Sequence, residues 1–210
     1  MPDFLKTVQF KDGVKDILFE RKPISTSHNE SDFVQASVLL PLFVKDQEYW
    51  VLLTKRTNKV RYHKGEVSFP GGVVDEVDDS LESTAKRETY EEIGVKREDI
   101  EILGRLDDTA TMTFRYIIHP FVGVIPFPYE YIANEDEVDR IIEIPLSFFF
   151  NLSQPRLFTV DYYGKTVETP AYIYDGIAVW GATQRILTNF VNLLRPKING
   201  SYSGSKFQTL

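Results

Sequence analysis

Between Leu52 and Val95 an apolar, β-prone run passes through Phe69-Pro70-Gly71-Gly72 into a polar segment carrying Glu88, Glu91 and Glu92. Few folds accommodate that order. Paired glycines allow close backbone approach to a ligand, and the segment after them reads as a helix capped at both ends. Asp79 and Ser80 are N-cap candidates, Asp79 with Glu82 has the spacing of a capping box, and Gly94 supplies the C′ residue. Leu81, Ala85 and Thr89 form a less polar stripe that can pack inward. On such a helix Glu88 and Glu92 stand about 40° apart, with Glu91 about 60° to the other side. Like charges so placed destabilise a helix by about 0.2–0.5 kcal/mol per pair, and a cation reverses the sign. Hard divalent ions take oxygen ligands, Mg²⁺ commonly one or two carboxylates with waters and substrate phosphates. A solvated acidic face is the bland alternative. Arg87 points away from Glu88 and is placed to hold a carboxylate of the preceding loop, Asp78 or Asp79, by a bidentate pair.

The run Arg87-Glu88-x-x-Glu91-Glu92-x-Gly94-Val95 resembles the box of the Nudix hydrolases, G-x5-E-x7-R-E-U-x-E-E-x-G-U with U bulky and apolar. The chain departs from that pattern in three places: one extra residue lies between Gly72 and Arg87, Asp78 or Asp79 replaces the loop glutamate, and Thr89 takes an apolar position. Upstream, Leu52-Leu53-Thr54-x-Arg56-Thr57-x3-Arg61-x3-Gly65-x3-Phe69-Pro70-Gly71-Gly72 resembles the signature of the coenzyme A diphosphatase branch, whose box is also slightly lengthened. Thr57 stands where that signature has Ser or Ala. Glu143-Ile144-Pro145-Leu146, Tyr174-Asp175-Gly176 and Trp180-Gly181-Ala182-Thr183 echo later segments of the branch, so the similarity runs from about Ala36 to Leu194.

The resemblance implies a Mg²⁺- or Mn²⁺-dependent diphosphatase that splits coenzyme A or its derivatives into 3′,5′-ADP and (acyl-)4′-phosphopantetheine. Glu88 and Glu92 would be the principal metal ligands, with Glu91 a third ligand or the group that deprotonates water, and Arg87 completes the catalytic set. Arg56, Arg61 and Lys64, with Gly71 and Gly72, would meet the substrate phosphates. The base stays unassigned, Glu135 and Glu137 in the acidic run Asn134 to Asp139 being candidates. His63 is left outside the catalytic set, and Tyr172, Tyr174 and Trp180 either stack on the substrate or belong to the core. ADP-ribose or NADH are alternative substrates on the same box. A catalytically silent nucleotide-binding module would be expected to have lost a metal ligand, and all three glutamates are present.

With 210 residues, 42% of them hydrophobic, the chain can bury one sizeable core. A net charge of −7 argues against a general nucleic-acid binder, and the absence of cysteine excludes disulfides, thiolate metal sites and a cysteine nucleophile. No apolar stretch approaches the roughly 18 residues of a membrane span. A small molecule is therefore the expected partner and the cytoplasm the expected location, and a homodimer is compatible with the sequence. Residues 1–30 read as a helical extension (Phe4 to Glu20) and polar linker (Lys22 to Asp32), 31–196 as the catalytic domain, and 197–210 as a flexible tail. Strands are expected at Gln35 to Val44, Tyr49 to Arg56, Ile100 to Leu106 and Tyr116 to Ile125. Helices are expected from Pro145 and over Val179 to Leu194, the latter ending at Pro196. The expected fold is α+β, and the resemblance implies an α/β/α sandwich around a mixed sheet.

Overall fold

A computed structural model of the chain describes residues 8–25, 32–59, 64–111, 115–151, 155–162 and 164–198. Two long strands, β1 (Val34–Lys45) and β2 (Glu48–Arg56), form a hairpin. Asp46 and Gln47 turn it with φ of 52° and 62°, the left-handed pair whose twist suits a two-residue hairpin. Next come β3 (Val67–Ser68), β4 (Gly71–Val73) and helix α2 (Leu81–Ile93), which follows α1 (Val8–Phe19) in the numbering. A single 3₁₀ turn at Arg97–Asp99 leads to β5 (Glu101–Arg105), β6 (Thr109–Thr111), β7 (Tyr116–Val124) and β8 (Val138–Pro145). The eight strands form one sheet whose main path is β3-β2-β1-β7-β5, with β4 on β1, β6 on β7 and β8 on β2. β1 and β7 run parallel and the other pairs antiparallel. A parallel pair needs a long crossover, and the segment containing α2 supplies it.

Alternation along the strands decides the layers. Leu39 and Phe43 of β1, Leu52 of β2 and Phe121 of β7 bury against Ala85 and Ile93 of α2. Leu40, Leu42, Val51, Leu53 and Val122 point the opposite way, toward Phe10, Val14 and Leu18 of α1 and toward two further helices, α3 (Leu146–Asn151) and α4 (Gly181–Ile198). Helices thus cover both faces of a mixed sheet, as expected. Among the described residues no helix is long and apolar enough to cross a membrane.

Several boundaries differ from the sequence reading. Pro145 closes β8 rather than opening a helix, and α3 starts at Leu146. Val179 belongs to a strand, β11 (Ile177–Trp180), so α4 begins at Gly181; it also runs past Pro196 to Ile198. With β9 (Arg156–Tyr162) and β10 (Lys165–Tyr174), β11 makes a second, three-stranded antiparallel sheet that the sequence pattern does not announce. The described start of the expected linker is anchored: the Ile24 N–H donates to the Asp107 carboxylate at 2.7 Å, and Arg21, just before the linker, pairs with the same group. Residues 4–7 of the expected N-terminal helix and 199–210 of the expected tail lie outside the described residues, while 197 and 198 belong to α4.

Candidate active site

Helix α2 is fixed at both ends by its own sequence. Ser80, in extended backbone, is the N-cap: its hydroxyl accepts from the Ser83 N–H at 3.1 Å and the Ser83 hydroxyl accepts from the Ser80 N–H at 2.9 Å. Of the two candidates, Ser80 therefore holds the cap, and the Asp79–Glu82 box does not form. Glu82 instead pairs with Lys86 one turn on, at 2.9 Å. Gly94 ends the helix with φ 75°, a conformation that costs glycine little. Thr89 is fully buried, and its hydroxyl donates to the Ala85 carbonyl at 2.7 Å. A polar residue fits the family's apolar position because its own helix satisfies it.

Arg87 is a clamp. Its Nε and Nη2 donate to the two oxygens of Asp78 at 2.9 and 2.8 Å, its Nη1 to Glu88 at 2.8 Å and Glu91 at 3.0 Å, and Nη2 also to the Val73 carbonyl at 3.1 Å. Asp78, not Asp79, is its loop partner. Helix geometry predicts that Arg87 points away from Glu88, whereas its flexible side chain folds back to reach Glu88 and Glu91. All five guanidinium donors are engaged within the protein. The loop, β4 and α2 are thereby tied together.

The glutamates are not equivalent. Glu92 is 2% exposed; the Arg56 Nη1 lies 3.6 Å from its carboxyl and the Thr54 hydroxyl donates to it at 3.5 Å. Burial pushes its carboxyl up to about 8; Glu137 and Glu88 add to the rise, and Arg56 and the Gly71 amide oppose it. Burial also raises the Glu88 carboxyl above its usual range, against the pull of Arg87. Glu91 is exposed and carries its Arg87 contact at the rim. Gly72 lies on Glu88: a Cβ there would sit 2.4 Å from its carboxylate. Among the described residues, no three carboxylate or imidazole groups converge as a ready-made metal cage. Arg87 draws Glu88 and Glu91 to one side, while Arg56 stands beside Glu92. The donor set nonetheless fits a hard divalent cation, because it offers carboxylate oxygens only and includes a buried carboxylate whose cationic neighbour among the described residues, Arg56, lies beyond hydrogen-bond distance.

Glu137 emerges from the acidic run as a neighbour of the site, since its charge acts on both Glu88 and Glu92. Its turn is pinned from two sides. The Thr57 N–H donates to the Glu137 carbonyl at 2.8 Å and the Thr57 hydroxyl to the Asp136 carbonyl at 2.9 Å, while the Asn134 N–H donates to the Glu92 carbonyl at 2.9 Å. Those long-range bonds carry no local sequence signal. Glu135 meets Lys59 through its backbone carbonyl. Lys64 is exposed in the turn before Glu66, and Arg61 and His63 lie outside the described residues. Tyr172 and Tyr174 pack edge-on against Phe149 and Phe148 in the core on the face away from α2, which favours the core reading for both. Trp180 pairs with Ala171 at the other end of β11 from Ile177.

The two glycines separate by what a methyl group would meet. A Cβ at Gly71 would lie 2.4 Å from the Ser37 carbonyl and 2.6 Å from the Val38 Cα, which are backbone and cannot yield easily, whereas at Gly72 it meets the movable end of Glu88. Gly71→Ala is expected to cost about 3 kcal/mol in urea unfolding. Gly72→Ala should cost less stability while displacing Glu88, so turnover falls more than the melting temperature does.

A family model described as the NUDIX domain matches residues 34–157. The chain belongs to the Nudix family, hydrolases acting on nucleoside diphosphate derivatives, a family that generally uses divalent metal ions. An Enterobacter sp. (strain 638) protein named uncharacterized Nudix hydrolase NudL is 39% identical over 153 residues, spanning 73% of this chain and 79% of its own length. The protein of the same name from Photorhabdus laumondii is 36% identical over 152 residues, 72% of this chain and 80% of that one. A crystal structure of a MutT/nudix family protein from Enterococcus faecalis matches with a TM-score of 0.51 over 95% of this chain and 78% of that one; at 15% identity it bears on the fold alone.

Proposed function

We propose that this hydrolase cleaves the pyrophosphate bond of coenzyme A or its derivatives, releasing 3′,5′-ADP and (acyl-)4′-phosphopantetheine. The observation that carries the reading is the meeting of the two sequence motifs: Arg56 of the upstream signature stands 3.6 Å from Glu92 of the box, and Thr57 beside it holds the turn bearing Glu137. Glu88 and Glu92 would hold Mg²⁺ or Mn²⁺, with Glu91 as third ligand. The ion would neutralise diphosphate charge and acidify a bound water. Arg56, with Arg61 and Lys64, binds the phosphates. The backbone of Gly71 and Gly72 lets a diphosphate approach closely, and Arg87 orients Glu88 and Glu91 without touching substrate. Water adds to one phosphorus, the bridging P–O bond breaks, and the water proton passes to the Glu137 carboxylate. The test is product identification from coenzyme A and from ADP-ribose, each with Mg²⁺, with Mn²⁺ and with chelator. Metal-dependent formation of 3′,5′-ADP from coenzyme A is the expected outcome. Cleavage of ADP-ribose with none of coenzyme A would overturn the substrate assignment and leave the reaction class standing.

A further inference from the structure

The two arginines of the site are in opposite states. Arg87 has every N–H bonded. Arg56 does not: its side chain is 25% exposed, its Nε is buried with no hydrogen-bond partner among the described residues, and its ion pair with Glu92 is 3.6 Å long. An arginine kept only to neutralise Glu92 gains by closing that gap and satisfying its fork, as Arg87 does with Asp78. Arg56 is instead held short of a full bond, with idle donors beside the carboxylate on which the proposed metal site depends. Glu92, for its part, is nearly inaccessible and has one cationic neighbour among the described residues.

We propose that Arg56 exchanges partners: it stands beside Glu92 until that carboxyl is given to a divalent cation, and the released guanidinium then takes the substrate diphosphate, so that cation and diphosphate each favour the binding of the other. This rests on the metal-dependent reading above and adds to it. Arg56 is a competitor of the cation for Glu92 as well as a contact for the phosphates. Affinity coupling between two ligands is reciprocal, so it is measurable from the cation side without any turnover. A simple phosphate-binding arginine leaves cation affinity alone. A purely structural counter-ion, remaining beside Glu92 throughout, gives the same diphosphate effect on cation binding whether or not it is present.

The experiment titrates Mn²⁺ into wild type, Arg56→Gln and Arg56→Lys, reading free Mn²⁺ by electron paramagnetic resonance, with and without the non-hydrolysable diphosphate α,β-methylene-ADP. Without nucleotide, R56Q is expected to bind Mn²⁺ at least about fivefold more tightly than wild type, and R56K, which keeps the charge, to stay near wild type. With nucleotide, the gain in Mn²⁺ affinity should be larger in wild type than in R56Q by at least about fivefold. Direct contact between the phosphates and the ion survives in both proteins and cancels in that comparison. R56Q binding Mn²⁺ no more tightly than wild type, or an equal nucleotide effect in the two, overturns the exchange while leaving the hydrolase reading intact. Wild type binding no Mn²⁺ would overturn both. Should R56Q fail to fold, R56K decides alone: an ammonium lacks the bidentate fork, so its nucleotide effect must be smaller than that of wild type, and an equal effect refutes the exchange.

Discussion

Glu92→Gln is expected to lower kcat/KM by about a thousandfold or more while stabilising the metal-free protein above neutral pH. The loss follows from the proposed role, since removing one charge contact to the reacting group typically costs about 10²–10³ in rate, and Glu92 would act through both cation and substrate. The gain in stability follows from burial. Its carboxyl, 2% exposed, is pushed up to about 8 in the folded protein, against about 4.3 for an unfolded glutamate. Between those values the folded chain holds a proton that the unfolded chain has released. Stability therefore falls as pH rises through the window from about 4 to about 8. Glutamine has no proton to lose. Metal-free wild type and E92Q should differ least at about pH 4 and below, and E92Q should melt higher at pH 8.5, by about 2–4 °C for each 1 kcal/mol in a chain of this size. Calorimetry with chelator present reads this directly. A variant that melts lower at pH 8.5 would show that Glu92 is well compensated without metal.

What could be read in the sequence was whatever is specified locally. Helix α2 was legible because its cap, its terminal glycine and its apolar stripe fall within fifteen residues, from Ser80 to Gly94. Even so, spacing favoured a box of Asp79 with Glu82, whereas the extended backbone at Ser80 makes Ser80 the cap and Ser83 its partner. Strands β1 and β2 were legible as apolar, β-prone runs on either side of Lys45-Asp46-Gln47. The strands β9 and β10 were not, because most of their residues are exposed and polar alternation is indistinguishable from a loop pattern. Glu137 was legible only as one acid among several. Its place beside Glu88 and Glu92 depends on bonds from Thr57, 80 positions earlier, and from the helix end at Glu92. The contact between Gly72 and Glu88 is of the same kind: each residue reads as functional on its own, and only the pairing of β4 with β1 beneath α2 explains why the first has no side chain.

Asp78→Asn is expected to be the most destabilising exchange around the site, at about 3–5 kcal/mol in urea unfolding. The Asp78 side chain is 2% exposed and accepts four hydrogen bonds: two from Arg87, one from the Asp75 N–H at 3.0 Å and one from the Thr84 hydroxyl at 2.9 Å. An amide can replace one acceptor oxygen but presents an NH₂ to the guanidinium in place of the other. Removing one member of a buried pair strands the other, which is where the cost of about 3–5 kcal/mol arises. Arg87 holds the Asp78 carboxyl far below the usual carboxylate range. The contribution is therefore complete above the unfolded value of about 3.9 and is lost as pH falls through the depressed folded one. The gap between wild type and D78N should be widest near neutrality and should close in strong acid, whereas loss of ordinary packing would give a gap independent of pH. Arg87→Lys should reproduce much of the damage despite keeping the charge, because one ammonium cannot span Asp78, Glu88, Glu91 and the Val73 carbonyl together. If R87K instead matched wild type in stability and turnover, the fork geometry would be irrelevant and a point charge at this position would suffice.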